Sequence, residues 1–208
     1  MEDQIKNLGE FQLSVLREVG NIGAGHAATA LSNMLSSEIQ MNVPRVSVVA
    51  FDEIAEVVGG AEKLVIGIFL RVEGEIPGSI FFLLEQESAK RLVSGMVGAF
   101  ADESEEEFSE MEISALQEIG NILAGSYLSS LADFTQKEMS PTPPALAVDM
   151  AGAILSIALI QLGPMSDFAL VVDTEFLQGD KEIEGHFFLL PDPGSVETLF
   201  RSLGVELT

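Results

Sequence analysis

The sequence predicts an α+β fold: an internally duplicated, pseudo-twofold domain in which an antiparallel sheet is covered by long helices that carry the functional residues. Three observations carry this. At an offset of 100, "SVLREVGNIGAG" (Ser14 to Gly25) aligns with "SALQEIGNILAG" (Ser114 to Gly125), identical at eight of twelve positions. Near the end of each half, "GSIFFLLEQESAKRLVSGM" (Gly78 to Met96) resembles "GHFFLLPDPGSVETLFRSL" (Gly185 to Leu203). Between the helical stretches, segments such as "KLVIGIFLRVEG" and "DFALVVDTEF" present one rich apolar face, the mark of an antiparallel sheet with helices on it. Two long copies of this kind make a two-half domain, not a short-repeat solenoid. We read the 208 residues as one domain of halves 1–104 and 105–208.

The elements follow in order. In the first half, apolar periodicity predicts a long helix over about 8–36, strands near 39–51, 63–73 and 77–85, a short helix near 53–58 and a closing helix over about 87–98. The junction "ADESEEEFSEMEIS" reads as a solvated acidic linker running into a helix start, with Ser109 and Glu112 spaced as a capping box. The second half then has a long helix over about 109–135 and a stiff extended "SPTPPA". Strands near 145–151, 153–162, 168–177 and 183–190 and a helix over about 194–203 complete it. The run "MAGAILSIALI" is too short to span a bilayer and is read as buried strand.

Composition excludes several functions. Ten Lys and Arg against 33 Asp and Glu give a net charge of -23, the opposite of the basic footprint that a phosphate backbone or an anionic membrane needs. No nucleic acid and no membrane insertion are expected. The N-terminus lacks a secretory pattern and the chain has no cysteine, so a cytoplasmic protein is expected; a monomer is expected as well.

Gly20, Gly23 and Gly25 raise the question of a phosphate-cradling loop. A dinucleotide fingerprint places G-x-G-x-x-G between a strand and a helix. Here the spacing is reversed, helical periodicity precedes it, and the second copy replaces Gly23 with Leu123. Nucleotide binding is rejected.

At about 100° per residue, Leu16, Gly20, Gly23, Ala27 and Met34 gather on one side of the helix and should face the core, with Gly20 and Gly120 packing closely against a neighbour. Ser14, Glu18, Asn21 and Gly25 fall on the opposite side, within about 60° of one another. Ser114, Glu118, Asn121 and Gly125 repeat that stripe while residues between them vary, as in Arg17 against Gln117. A Glu and an Asn on one helix surface can be merely solvated, and recent duplication alone could repeat them. Other parts of the halves have drifted much further, which favours a functional stripe. Gly25 would leave room for another molecule's backbone, and Phe11, Val15 and Ile22 border the stripe as a protein partner's docking rim would. Met111 is the counterpart of Phe11. Neither stripe has a His or Lys spaced to activate Ser14 or Ser114 as a nucleophile. A lone Glu with an Asn is also a poor metal cage, so no metal ligand is assigned. His26 and His186 are not shared between the copies and are read as packing or surface residues.

At these residues the chain resembles the CheC-type chemotaxis phosphatases, the family of CheC, CheX and FliY. Its motif is an Asp or Ser, a Glu four residues later and an Asn three after that. Ser14, Glu18 and Asn21 match it, as do Ser114, Glu118 and Asn121. CheX has one such motif and FliY adds a flagellar-switch domain, so two motifs in a chain of this length fit the CheC pattern best. The resemblance implies removal of phosphate from the aspartyl phosphate of the response regulator CheY. It makes Glu18, Asn21, Glu118 and Asn121 catalytic, each Asn positioning the attacking water and each Glu pairing with the regulator's lysine. Ser14, Gly25, Ser114, Gly125, Phe11 and Met111 would then meet the partner. The chain itself would bind no cofactor, Mg2+ being held by the response regulator. The receptor deamidase CheD is a further implied partner. The alternative is a non-catalytic module that binds response regulators, as in the flagellar switch.

Overall fold

The computed structural model describes residues 5–97, 107–162, 168–178 and 181–205. Helix α1 (Glu10–Leu35) leads into β1 (Ile39–Ala50), a 3-10 turn over Phe51–Glu53 and α2 (Ile54–Val57). Then come β2 (Leu64–Gly74), β3 (Gly78–Glu85) and α3 (Gln86–Val97). The second half runs α4 (Glu110–Thr135), β4 (Met139–Pro141), β5 (Ala145–Met150), α5 (Ala151–Leu162), β6 (Phe168–Gln178), β7 (Lys181–Pro191) and α6 (Ser195–Ser202). The acidic junction at 98–106 lies outside the described residues; the capping box beyond it is formed. The Ser109 hydroxyl accepts from the Glu112 backbone N–H at 3.3 Å, and Glu112 Oε2 accepts from the Ser109 N–H at 2.8 Å.

The seven strands of the described residues join one antiparallel sheet in the order β1-β6-β7-β3-β2, with both β4 and β5 on β2. The order places a pseudo-twofold between β7 and β3. It also crosses the halves: β1 pairs with β6 of the second half, and β4 and β5 pair with β2 of the first. A cross-half tie reinforces this. Arg71 on β2 donates to Ser79 Oγ at 2.9 Å and to Asp192 Oδ1 at 2.8 Å, and it also reaches Asp192 Oδ2.

The two sheet faces are covered differently. Helices α1 and α4 lie over one face, on a core that includes Leu31, Ile68, Phe82, Ile119, Phe176 and Phe187. The other face packs Phe81, Leu83, Val171 and Phe188 beneath Phe51, Ile54, Ile154 and Leu155. Strand β3 is buried on both sides, so its sequence is an unbroken apolar run instead of an alternating one.

One segment differs from the sequence reading: 151–162 is helix α5, not a strand. A stretch that is apolar at nearly every position carries neither a period of 2 nor one of 3.6, so pattern alone does not separate the two. Close approach settles it. A Cβ on Gly67 of β2 would stand 2.9 Å from Ile154 Cγ2, so the missing side chain makes the seat for the helix. The Ala151 and Gly152 N–H groups, donating to the Lys63 and Ala61 carbonyls at 2.9 Å each, turn the chain onto it. Among the described residues no helix is long and apolar enough to cross a membrane.

Candidate active site

The two long helices are laid out alike. Each has 26 residues and ends on a left-handed residue, Ser36 at φ 49° and Gln136 at φ 54°. On α1, Leu16, Gly20, Gly23 and Ala27 are buried and Met34 half-buried, as the helical spacing requires. Gly120 packs closely, since a Cβ there would fall 2.7 Å from Ile68 Cγ2. Gly20 does not: its nearest neighbour, Val43 Cγ2, would be 3.5 Å away, an ordinary contact. The tight crossing is instead at Gly23, where a Cβ would lie 3.0 Å from the Tyr127 Cα of α4.

Both polar stripes face outward. Ser14, Glu18, Ser114, Glu118 and Asn121 are exposed, Gly25 is exposed, and Asn21 and Gly125 are half-exposed. A Cβ at Gly25 or Gly125 would meet nothing within 4 Å, so both positions leave open space beside the carboxylate and amide. Phe11 is 66% and Met111 58% exposed, the two most exposed large apolar side chains among the described residues. An apolar side chain of that exposure at the same end of each stripe is what a docking rim needs.

The hydroxyls are committed to their own helices. Ser14 donates to the Phe11 carbonyl at 2.7 Å and Ser114 to the Glu110 carbonyl at 2.9 Å. Glu18 and Glu118 have no hydrogen-bond or ion-pair partner among the described residues. Each is a free anion beside an amide, suited to receive a cation from outside. His26 is exposed, and His186 pairs with Asp173 at 2.9 Å on β6 and β7, apart from both stripes. Among the described residues no group of three His, Cys, Asp or Glu is placed to hold a metal ion.

The amides differ. Asn121 has no partner among the described residues. Asn21 Nδ2 donates to the Arg17 carbonyl at 3.1 Å and the Val43 carbonyl at 3.3 Å, and its Oδ1 accepts the Val43 N–H at 2.9 Å. Helical periodicity places residues only on their own helix, so it does not reveal Val43, which comes from β1.

The chain-wide comparison is decisive on kinship. It is 43% identical over 202 residues to the CheY-P phosphatase CheC of Bacillus subtilis, covering 95% of this chain and 96% of that protein. A sequence model of the CheC-like family matches residues 11–48 and again 111–148. The chain belongs to the CheC-like family. Two matched segments in one CheC-like chain are the duplication at the scale of the family's own motif. Solved structures agree on the fold. Thermotoga maritima FliY superposes with a TM-score of 0.78 at 19% identity, over 95% of this chain and 98% of that one. A CheX-CheY-BeF3-Mg2+ complex from Borrelia burgdorferi matches at a TM-score of 0.51 and 21% identity, over 82% of this chain and 96% of the other.

Proposed function

We propose that this CheC-like chain is a phosphatase that hydrolyses the aspartyl phosphate of a CheY-type response regulator, with one site on each long helix. The observation that carries this is the Glu and Asn pair on the outward stripe of both α1 and α4, in a chain so similar over 95% of its length to a CheY-P phosphatase. Docking comes first. Glu18 or Glu118 pairs with the regulator's active-site lysine, Phe11 or Met111 covers apolar surface, and Gly25 or Gly125 lets the partner's backbone approach.

An acyl phosphate has a good leaving group, so hydrolysis needs a placed water more than a covalent intermediate. The Asn21 or Asn121 carboxamide offers a donor and an acceptor together. It holds a water in line with the bond to be broken. The water oxygen bonds to phosphorus as the bond to the aspartate oxygen breaks, giving phosphate and a free carboxylate, and the water's proton leaves with the phosphate. Mg2+ belongs to the regulator and stabilises its phosphoryl charge there. Ser14 and Ser114, bonded to their own helices, shape the surface and attack nothing.

On the family resemblance we also propose the receptor deamidase CheD as a second partner, and a cytoplasmic, monomeric protein. The rival, a response-regulator-binding module without catalysis, has no use for an amide beside the docking carboxylate in both halves. Phosphate loss from pre-phosphorylated CheY is the assay. With Asn21→Ala and Asn121→Ala combined, acceleration is expected to vanish.

A further inference from the structure

The state of Asn21 bears on the regulation of the proposed activity and rests on that reading. A carboxamide has two N–H donors, and both of Asn21's are spent, on the Arg17 and Val43 carbonyls. Its oxygen is held by the Val43 N–H, the shortest of the three bonds at 2.9 Å. Val43 is 2% exposed and sits where β1 shifts register between Asn42 and Arg45, a bulge of the kind that re-aims groups beside active sites. An amide in this pose has no N–H left to donate to a water or to a phosphoryl oxygen.

The second copy cannot adopt the same pose. The offset of 100 holds from the helix starts at Glu10 and Glu110, through the left-handed caps, to the strand starts at Ile39 and Met139. The same offset relates the two segments matched by the family. It brings Pro143 onto Val43 and Pro144 onto Pro44. Proline has no N–H, so nothing at 143 can donate to the Asn121 oxygen. The strand is interrupted there too: β4 ends at Pro141 and β5 begins at Ala145, and the Thr142 N–H is turned to the Arg71 carbonyl at 2.9 Å.

We propose that the Val43 peptide group is a latch that holds Asn21 closed, and that Pro143 leaves Asn121 permanently open, so the chain carries one gated and one standing site. Val43 is thus a positioning residue, acting through its backbone. The site opens when Asn21 swings off β1, and its apparent rate falls with the fraction of time it spends open. Loss of one net hydrogen bond, about fivefold or about 1 kcal/mol, sets the scale of the gate.

The test places Val43→Pro in an Asn121→Ala background, where only the first site can act. Phosphate loss from pre-phosphorylated CheY is expected to run about fivefold faster than in Asn121→Ala alone. Val43→Ala keeps the N–H and is expected to give none of that gain. Pro143→Val in an Asn21→Ala background supplies a donor and is expected to slow the second site. Amide hydrogen exchange at Val43 needs no buried proline: Asn21→Ala is expected to speed it, and so is saturation with CheY activated by beryllium fluoride. The latch is overturned if folded Val43→Pro, Asn121→Ala protein is no faster, if Val43→Ala matches Val43→Pro, or if Val43 exchange ignores both Asn21→Ala and CheY. A double Asn variant that still accelerates phosphate loss overturns the phosphatase reading instead.

Discussion

Tyr127 shows how one side chain fixes the helix that presents Asn121. It is the chain's single tyrosine. Its ring meets Phe187 edge-on with centroids 4.7 Å apart, and its hydroxyl lies 3.1 Å from Thr174 Oγ1 of β6. Burial pushes that hydroxyl up to about 12 from an ordinary 10.0, the Thr174 hydrogen bond opposing only in part. In the unfolded chain it ionises near 10, so its contribution is fully present below that pH and lost as pH rises through the folded value. The difference corresponds to roughly 3 kcal/mol at most. With no tryptophan in the chain, tyrosinate absorbance reads this group alone. A midpoint near 12 is expected in the folded protein. One near 10.0 would mean that solvent reaches the hydroxyl.

Between elements, the relation that matters is how α1 crosses α4. A Cβ at Gly23 would stand 3.0 Å from Tyr127 Cα and 3.3 Å from the Ser126 carbonyl oxygen, both backbone atoms that cannot swing aside. Gly23→Ala is therefore expected to destabilise by about 1–3 kcal/mol through overpacking, although alanine is the better helix former by up to about 1 kcal/mol. Gly25→Ala, two residues on in open space, is expected to stabilise by up to about that amount. Denaturant unfolding of the pair checks this, and equal effects would contradict it. The same elements show what the sequence makes legible. Helices α1 and α4 and their stripes can be read because their period and caps are local, and because Glu18 and Asn21 recur intact as Glu118 and Asn121. The helix α5 cannot, since its apolar run has no phase, and the seat at Gly67 is far away in sequence. Nor can the bonds from Asn21 to Val43, which span 22 residues. A visible trace does exist in Pro143 standing where the first copy has Val43.

For the whole molecule, the strands of the two copies interleave in one sheet. Strand β1 completes its pairing on β6, and β4 and β5 on β2, so each half's first strand belongs to the other half's hairpin. Arg71 and Asp192 tie the halves again across the sheet. We infer a single domain over 1–208. Fragments 1–104 and 105–208 made separately are expected to stay unfolded by circular dichroism and to regain structure when made together; a folded lone half would contradict this. An undivided sheet also holds both helices on one layer, so the two sites share a scaffold while differing in their amides.

In the proposed reaction the Asn21 and Asn121 carboxamides, not a nucleophile or a metal of this chain, promote hydrolysis of the aspartyl phosphate. Single-turnover phosphate loss from pre-phosphorylated CheY, with the Asn21→Ala, Asn121→Ala protein in excess and its affinity for CheY measured alongside, tests it most directly. Affinity within about threefold of the unaltered protein and phosphate loss no faster than CheY alone are expected, the pattern of an interaction made in the transition state. Accelerated loss that survives removal of both amides would contradict it.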